Sequence, residues 1–142
     1  MAPGRSRNAV FNINEASYPV LICYGLRFSE LFSEISDKVD CFINIAYCLN
    51  ARIDHWRTLL EARAIEDQAY MVGVNRAGID GNNLLHELSS SAYCPSVQSL
   101  HFDHLGGHPD FLVIDVNVSA VCAARSGFPS LKDTCATLDQ SF

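Results

Sequence analysis

Lysine is nearly missing from this 142-residue sequence: Lys38 and Lys132 are the whole complement, and the net charge is −6. That acidic balance argues against nucleic acid or an anionic membrane as the main partner. Arg5 and Arg7 sit in a short N-terminal tail. No apolar run approaches the length that spans a bilayer. The N-terminal Met-Ala-Pro-Gly-Arg-Ser-Arg lacks the apolar core of a secretory signal, and a soluble, cytoplasmic protein is expected. The six cysteines contain no Cys-x-x-Cys pair, which leaves a structural zinc site or a thioredoxin-like redox pair unsupported. Cys23, Cys41, Cys48, Cys94, Cys122 and Cys135 are scattered, and three lie in apolar runs, the pattern of free, partly buried thiols.

What is present is core-forming material. Apolar residues make up 49% and charged residues 18%, enough for one domain and against a disordered chain. Residues 1–8 read as a flexible tail and 9–142 as the domain. Ala9 to Ile13 is β-prone, with Asn14-Glu15-Ala16-Ser17 as a turn. Pro19-Val20-Leu21-Ile22-Cys23-Tyr24 is a continuous apolar run suited to a strand covered on both faces, and Gly25 ends it. Phe28, Leu31, Phe32 and Ile35 then fall at helical spacing. Cys41 to Ala46 is a second strand. Asp54 caps a helix over 55–68, with Trp56, Leu59, Leu60 and Ala64 on its buried side. Arg57 with Glu61, and Arg63 with Asp67, are spaced to pair on its surface. Tyr70 to Asn75 is a third strand, and Gly78, Asp80 and Gly81 turn the chain after it. This alternation is the α/β pattern. Residues 84–110 lack periodicity and are expected to be loop. A last strand is expected over 111–118, and a short helix over 130–138.

Cys23 stands out by position. It ends a buried strand just before a glycine and a helix, the geometry of a nucleophile elbow. A thiol there faces the positive end of the following helix dipole, and the backbone N–H of Tyr24 would point where an oxyanion forms. The competing reading is a packed core cysteine.

The neighbouring residues favour the functional reading. Cys23-Tyr24-Gly25-Leu26-Arg27-Phe28-Ser29-Glu30 resembles the Cys-Tyr-Asp-Leu-Arg-Phe-Pro-Glu signature of the nitrilase, or carbon–nitrogen hydrolase, superfamily. The stretch from Asp54 to Tyr70 resembles a helix of its omega-amidase branch, as does Val72-Gly73-Val74-Asn75-Arg76-Ala77-Gly78, followed by Asp80-Gly81-Asn82. The agreement covers about residues 18–82 and is weaker from Phe111 to Pro129.

The resemblance implies the C-terminal half of an α-β-β-α sandwich that usually dimerises. It implies hydrolysis of linear amides of small carboxylic acids through a cysteine thioester, with a Glu moving protons, a Lys stabilising the anion, and no metal or organic cofactor. Cys23 takes the nucleophile's place. The family's Glu and Lys come well before its Cys, whereas here no lysine precedes Cys23 and the one carboxylate before it is Glu15. The N-terminal half is therefore expected to be absent from this sequence, and the chain inactive alone. A non-catalytic pseudoenzyme serving as an interaction or oligomerisation module is the alternative. An uncovered sheet face is expected to drive self-association or partner binding.

Gly25 and Ser29 replace the signature's Asp and Pro. Ala46-Tyr47-Cys48-Leu49 stands where the branch has Ala-Asn-Trp-Pro, positions that shape the substrate pocket. Arg63 and Glu66 are read as a structural pair or dimer-interface contact in preference to direct catalysis, Arg27 as a brace of the elbow in preference to a substrate contact, and Asn75 and Arg76 as scaffold or pocket rim. The segment from about Leu85 to Asp110 does not resemble the family. Its His86, His101, His104 and His108, with Asp103 and Asp110, form a loose cluster best read as solvated loop histidines, since Gly106, Gly107 and Pro109 discourage a zinc-binding helix.

Overall fold

Val10–Ile13 (β1) folds back on Ala16–Ile22 (β2) as an antiparallel hairpin, turning through Asn14 at a φ of 53°. This is the left-handed region that asparagine tolerates better than most residues. Cys41–Ala46 (β3) and Tyr70–Asn75 (β4) continue the sheet in parallel, with Ile22 beside Ile45 and Ile45 beside Val74. Ser91–Tyr93 (β7) closes it antiparallel to β4, giving the order β1-β2-β3-β4-β7. A computed structural model describes residues 10–86, 88–96, 103–104 and 112–133. The tail expected over 1–8 lies outside them. Two short pairs stand outside this sheet: Gly78–Ile79 (β5) with Leu85–His86 (β6), and Asp103–His104 (β8) with Leu112–Val113 (β9).

The long helix Ile53–Glu66 (α2) seals one sheet face. Trp56, Leu60 and Ala64 pack with Leu21, Phe42, Ala46 and Met71 in the main core. Gly73 is what lets the helix approach: a Cβ there would lie 2.7 Å from Trp56 Cη2 and closer still to Leu60. The indole N–H of Trp56 donates to Asn44 Oδ1 at 3.0 Å, satisfying one polar group of an asparagine buried mid-sheet.

Among the described residues the opposite face is only half covered. Val118–Gly127 (α3) sits over the N-terminal ends of the strands, where Val121 packs with Cys41, Tyr70 and Cys94. Arg125 of this helix donates to the carbonyls of Ser36 and Val39 at 2.7 and 2.6 Å. Towards the C-terminal ends of the strands, Ile22, Ile45 and Val74 form a cross-strand row that is 75, 49 and 44% exposed.

Several expectations are corrected. The helix after Cys23 is broken into a 3-10 turn, Cys23–Arg27, a single α turn, Glu30–Ser33 (α1), and a second 3-10 turn, Ser36–Lys38. Gly25 and the serines 29, 33 and 36 are weak helix formers, and so short a segment supplies little dipole. Asp54 lies within the first turn of α2, and Arg52 takes the cap position. Arg63 pairs with Glu66, not with Asp67. Within the supposed loop 84–110, β6 and β7 are ordered by pairing with neighbours, a tertiary effect that local pattern does not carry. The strand expected over 111–118 is realised only at Leu112–Val113, and Val118 opens α3 under an Asn117 side-chain cap. Residues 130–133 are helical; the rest of the helix expected there lies outside the described residues. No helix among the described residues is long and apolar enough to cross a membrane.

Candidate active site

β2 delivers Cys23 to the C-terminal end of the parallel strands, and there the backbone turns sharply. Cys23 has a φ of 42°, a conformation that costs a non-glycine residue roughly 1–2 kcal/mol. The next residues of the turn hold this strain: Leu26 is buried in the main core, and Phe28 N–H closes the turn onto the Gly25 carbonyl at 3.1 Å. The result is a corner that lifts the sulfur out of the sheet and leaves it half-buried. The first N–H groups of the turn, Tyr24's among them, have no partner position inside it.

The corner opens onto a pocket of about 160 Å³. Cys23, Tyr24, Leu26 and Arg27 form one wall, and Trp56 and Leu59 of α2 another. The third wall is the segment after β3, Tyr47-Cys48-Leu49, with Arg52 at the start of α2. No lysine or carboxylate is among these residues; the two cations are arginines. The Arg27 guanidinium lies 5.8 Å from the Tyr24 ring centroid, an exposed cation–π contact.

Behind the third wall is a polar network. Tyr47 donates its hydroxyl to Asp80 and packs at a 50° tilt against His86 with ring centroids 4.4 Å apart, while the Arg76 guanidinium lies 5.1 Å from the Tyr47 ring centroid. Asp80 also accepts from the N–H groups of Asn82 and Leu84, both at 2.8 Å. The Tyr47 hydrogen bond, followed by the Leu84 one, holds the Asp80 carboxyl far below the usual carboxylate range. The same bond raises the Tyr47 phenol. His86 lies against both, its Nε2 3.6 Å from Asp80 and its Nδ1 3.3 Å from the Cys48 carbonyl oxygen. It is buried, so the solvated-histidine reading is wrong for this residue. His101, His108 and Asp110 lie outside the described residues.

Asn75 completes the wall. Its side chain accepts from Cys48 N–H at 2.7 Å, and its amide donates to Cys48 C=O at 3.1 Å and to Ser89 Oγ at 2.8 Å. One asparagine thereby reproduces a strand-like pairing with Cys48 where the sheet has ended.

Of the residues singled out in the sequence, Cys23, Tyr24, Arg27 and Tyr47 share the pocket, and Asn75 stands directly behind it. Arg63 and Glu66 do not join them. They sit in the C-terminal half of α2, paired with each other, with Arg63 buried and its guanidinium 5.7 Å over Phe32. Asp80 and His86 were legible only as a turn residue and a loop histidine, and Arg52 carried no signal beyond its place beside the helix. Among the described residues no three His, Cys, Asp or Glu side chains converge as a metal cluster.

The sequence pattern of the family described as carbon-nitrogen hydrolase matches residues 1–103. The chain is 34% identical over 113 residues to the omega-amidase YafV of Yersinia enterocolitica, covering 80% of this chain and 43% of that protein. It is 44% identical over 111 residues to the hydrolase in the agr operon of Staphylococcus lugdunensis, covering 77% of this chain and 46% of that protein. It thus spans less than half the length of these curated relatives. A solved CN-hydrolase superfamily protein of Xanthomonas campestris, with an arsenic adduct in its active site, superposes with a TM-score of 0.79 at 26% identity, over 93% of this chain and 51% of that one.

Proposed function

Because the chain belongs to the carbon–nitrogen hydrolase family, we propose that Cys23 is the nucleophile of an amidase-type site for linear amides of small carboxylic acids. The observation that carries this reading is the strained corner at Cys23, which opens onto a small, largely apolar pocket with arginines at its rim. The chemistry is covalent: the sulfur attacks the carbonyl carbon, a C–S bond forms, the C–N bond breaks, and the amine leaves with a proton. The N–H of Tyr24 is the oxyanion donor. Tyr47, clamped by Asp80 and His86, and the Asn75-held Cys48 segment set the shape of the acyl pocket.

These 142 residues by themselves do not turn over. Glu15 and Lys38 lie at the opposite end of β2: Glu15 precedes the strand, and the Lys38 carbonyl accepts from Ser17 Oγ at 2.7 Å. At about 3.3 Å per residue, either is on the order of 20 Å from the corner. Loss of one charged oxyanion partner and of the proton shuttle together slows catalysis on the order of 10⁴-fold.

The test is to incubate the chain with a short linear amide and follow ammonia and intact mass. Expected are an acyl adduct confined to Cys23, its absence in Cys23→Ala, and less than one ammonia per chain. Repeated turnover would overturn the statement about the chain alone; adducts indifferent to Cys23→Ala would overturn the nucleophile.

A second reading, a module that associates through its sheet, is supported by the exposed Ile22–Ile45–Val74 row. Aliphatic side chains aligned across parallel strands are the surface a second layer covers. Sedimentation of the chain tests it: dimers or higher species are expected, and a monomer at all concentrations would end it.

A further inference from the structure

The pocket beside Cys23 has a floor and a rim of different character. Leu26 and Trp56 are 1 and 5% exposed, and Leu59 is half-buried against the main core; these form the floor. Tyr24, Arg27, Leu49 and Arg52 are exposed and form the rim. The polar groups of the aromatic walls already have partners: the Trp56 indole N–H donates to Asn44 Oδ1 at 3.0 Å, and the Tyr47 hydroxyl donates to Asp80. Trp56 and Tyr47 therefore offer the pocket ring carbon. The backbone N–H and C=O of Cys48 are both held by Asn75. Cys48 also stands where the signature it resembles has Trp, so a thiol occupies the place of an indole. A polar acyl chain entering here would lose its water and find no hydrogen-bond partner on the floor.

The volume sets the length of chain that fits. An apolar cavity of about 150 Å³ holds one benzene ring, and this pocket is about 160 Å³. The rim arginines do not reverse the preference. Both are exposed, and Arg27 already lies against the Tyr24 ring. An ion pair between an exposed guanidinium and a ligand carboxylate is screened by water and adds little. Each buried methylene, by contrast, raises affinity about fourfold. Resting on the amidase reading of Cys23, we propose that the pocket selects linear amides whose acyl group is an unbranched hydrocarbon chain of about six carbons, with no polar group at its far end. The amide carbonyl then meets the sulfur at the corner, and the chain lies along Leu26, Trp56 and Leu59.

Trp56 is the single tryptophan of the chain and lines the pocket, so its fluorescence reads occupancy without any reaction at sulfur. The full chain is titrated with straight-chain primary amides from acetamide to octanamide. Expected is a dissociation constant that falls about fourfold per added carbon and levels off at about six carbons. Glutaramate carries a carboxylate in place of the terminal ethyl group of hexanamide, and should bind at least about tenfold more weakly. Cys48→Phe keeps the single reporter and fills the pocket; it should weaken hexanamide about tenfold and leave acetamide within about twofold. Leu59→Ala should move the plateau about two carbons further. Circular dichroism checks both variants, and if one fails to fold the other decides. A flat series, an affinity that keeps rising to octanamide, glutaramate binding as tightly as hexanamide, or a plateau that the folded variants do not move would overturn the proposal. A flat series with an acyl adduct on Cys23 strikes the chain-length assignment alone, whereas the graded series without an adduct strikes the nucleophile.

Discussion

The two faces of the central sheet are finished to different degrees. Under α2 the packing is tight enough to demand a glycine: Phe42, Met71 and Leu60 are fully buried, and Gly73 meets Trp56 and Leu60 with no room for a methyl group. On the other face α3 closes only the N-terminal half of the strands, and the row Ile22, Ile45 and Val74 faces outward. The sealed face should therefore carry more of the stability than the exposed row does. The open face, by contrast, is where this chain has surface to offer another body.

The largest expected effect breaks the sealed face. Gly73→Ala forces a Cβ into Trp56 and Leu60 and should cost about 3 kcal/mol or more, read as a lower denaturation midpoint by circular dichroism. A smaller effect sharpens the comparison at the end that α3 covers. Asp67 is buried, and its Oδ2 has no hydrogen-bond partner. Burial pushes its carboxyl up to about 7, with Arg63 and Arg125 opposing and Glu66 assisting. A carboxyl that binds its proton more tightly when folded stabilises the fold at low pH and loses that contribution as pH rises. Stability should therefore fall as pH rises from about 4 through about 7. Asp67→Asn removes that slope and should leave the variant about 1–2 kcal/mol more stable than the parent at pH 8, measured by urea titration at both ends of the window. The smallest effect on stability belongs to the open face. Ile45→Ser should change the unfolding free energy by no more than about 0.5 kcal/mol, while sedimentation shifts towards monomer. If it destabilised the chain as Gly73→Ala does, the contrast between the faces would be wrong.

Much of this was readable from residue order. β3 and β4 run from Cys41 to Ala46 and from Tyr70 to Asn75 as their apolar runs require, and α2 departs from its periodicity only at the ends. The corner at Cys23 announced itself through an apolar strand that stops at Cys-Tyr-Gly. What escaped was non-local. β7 is a strand because β4 offers it an edge, and Ser91-Ala92-Tyr93 has no pattern of its own. His86 is buried because Tyr47 and Asp80, distant in sequence, wrap it. Arg63 and Glu66, read as a structural pair, do pair with each other, and helical geometry carries them away from the end where the pocket lies. The broken helix after Cys23 was missed because a good apolar stripe says nothing of how weakly glycine and serine hold a helix.

The left-handed backbone at Cys23 carries a further consequence. Glycine would occupy that corner without the left-handed strain, at the cost of the thiol proposed above as the nucleophile. If that proposal holds, chemistry and durability pull in opposite directions at this single position.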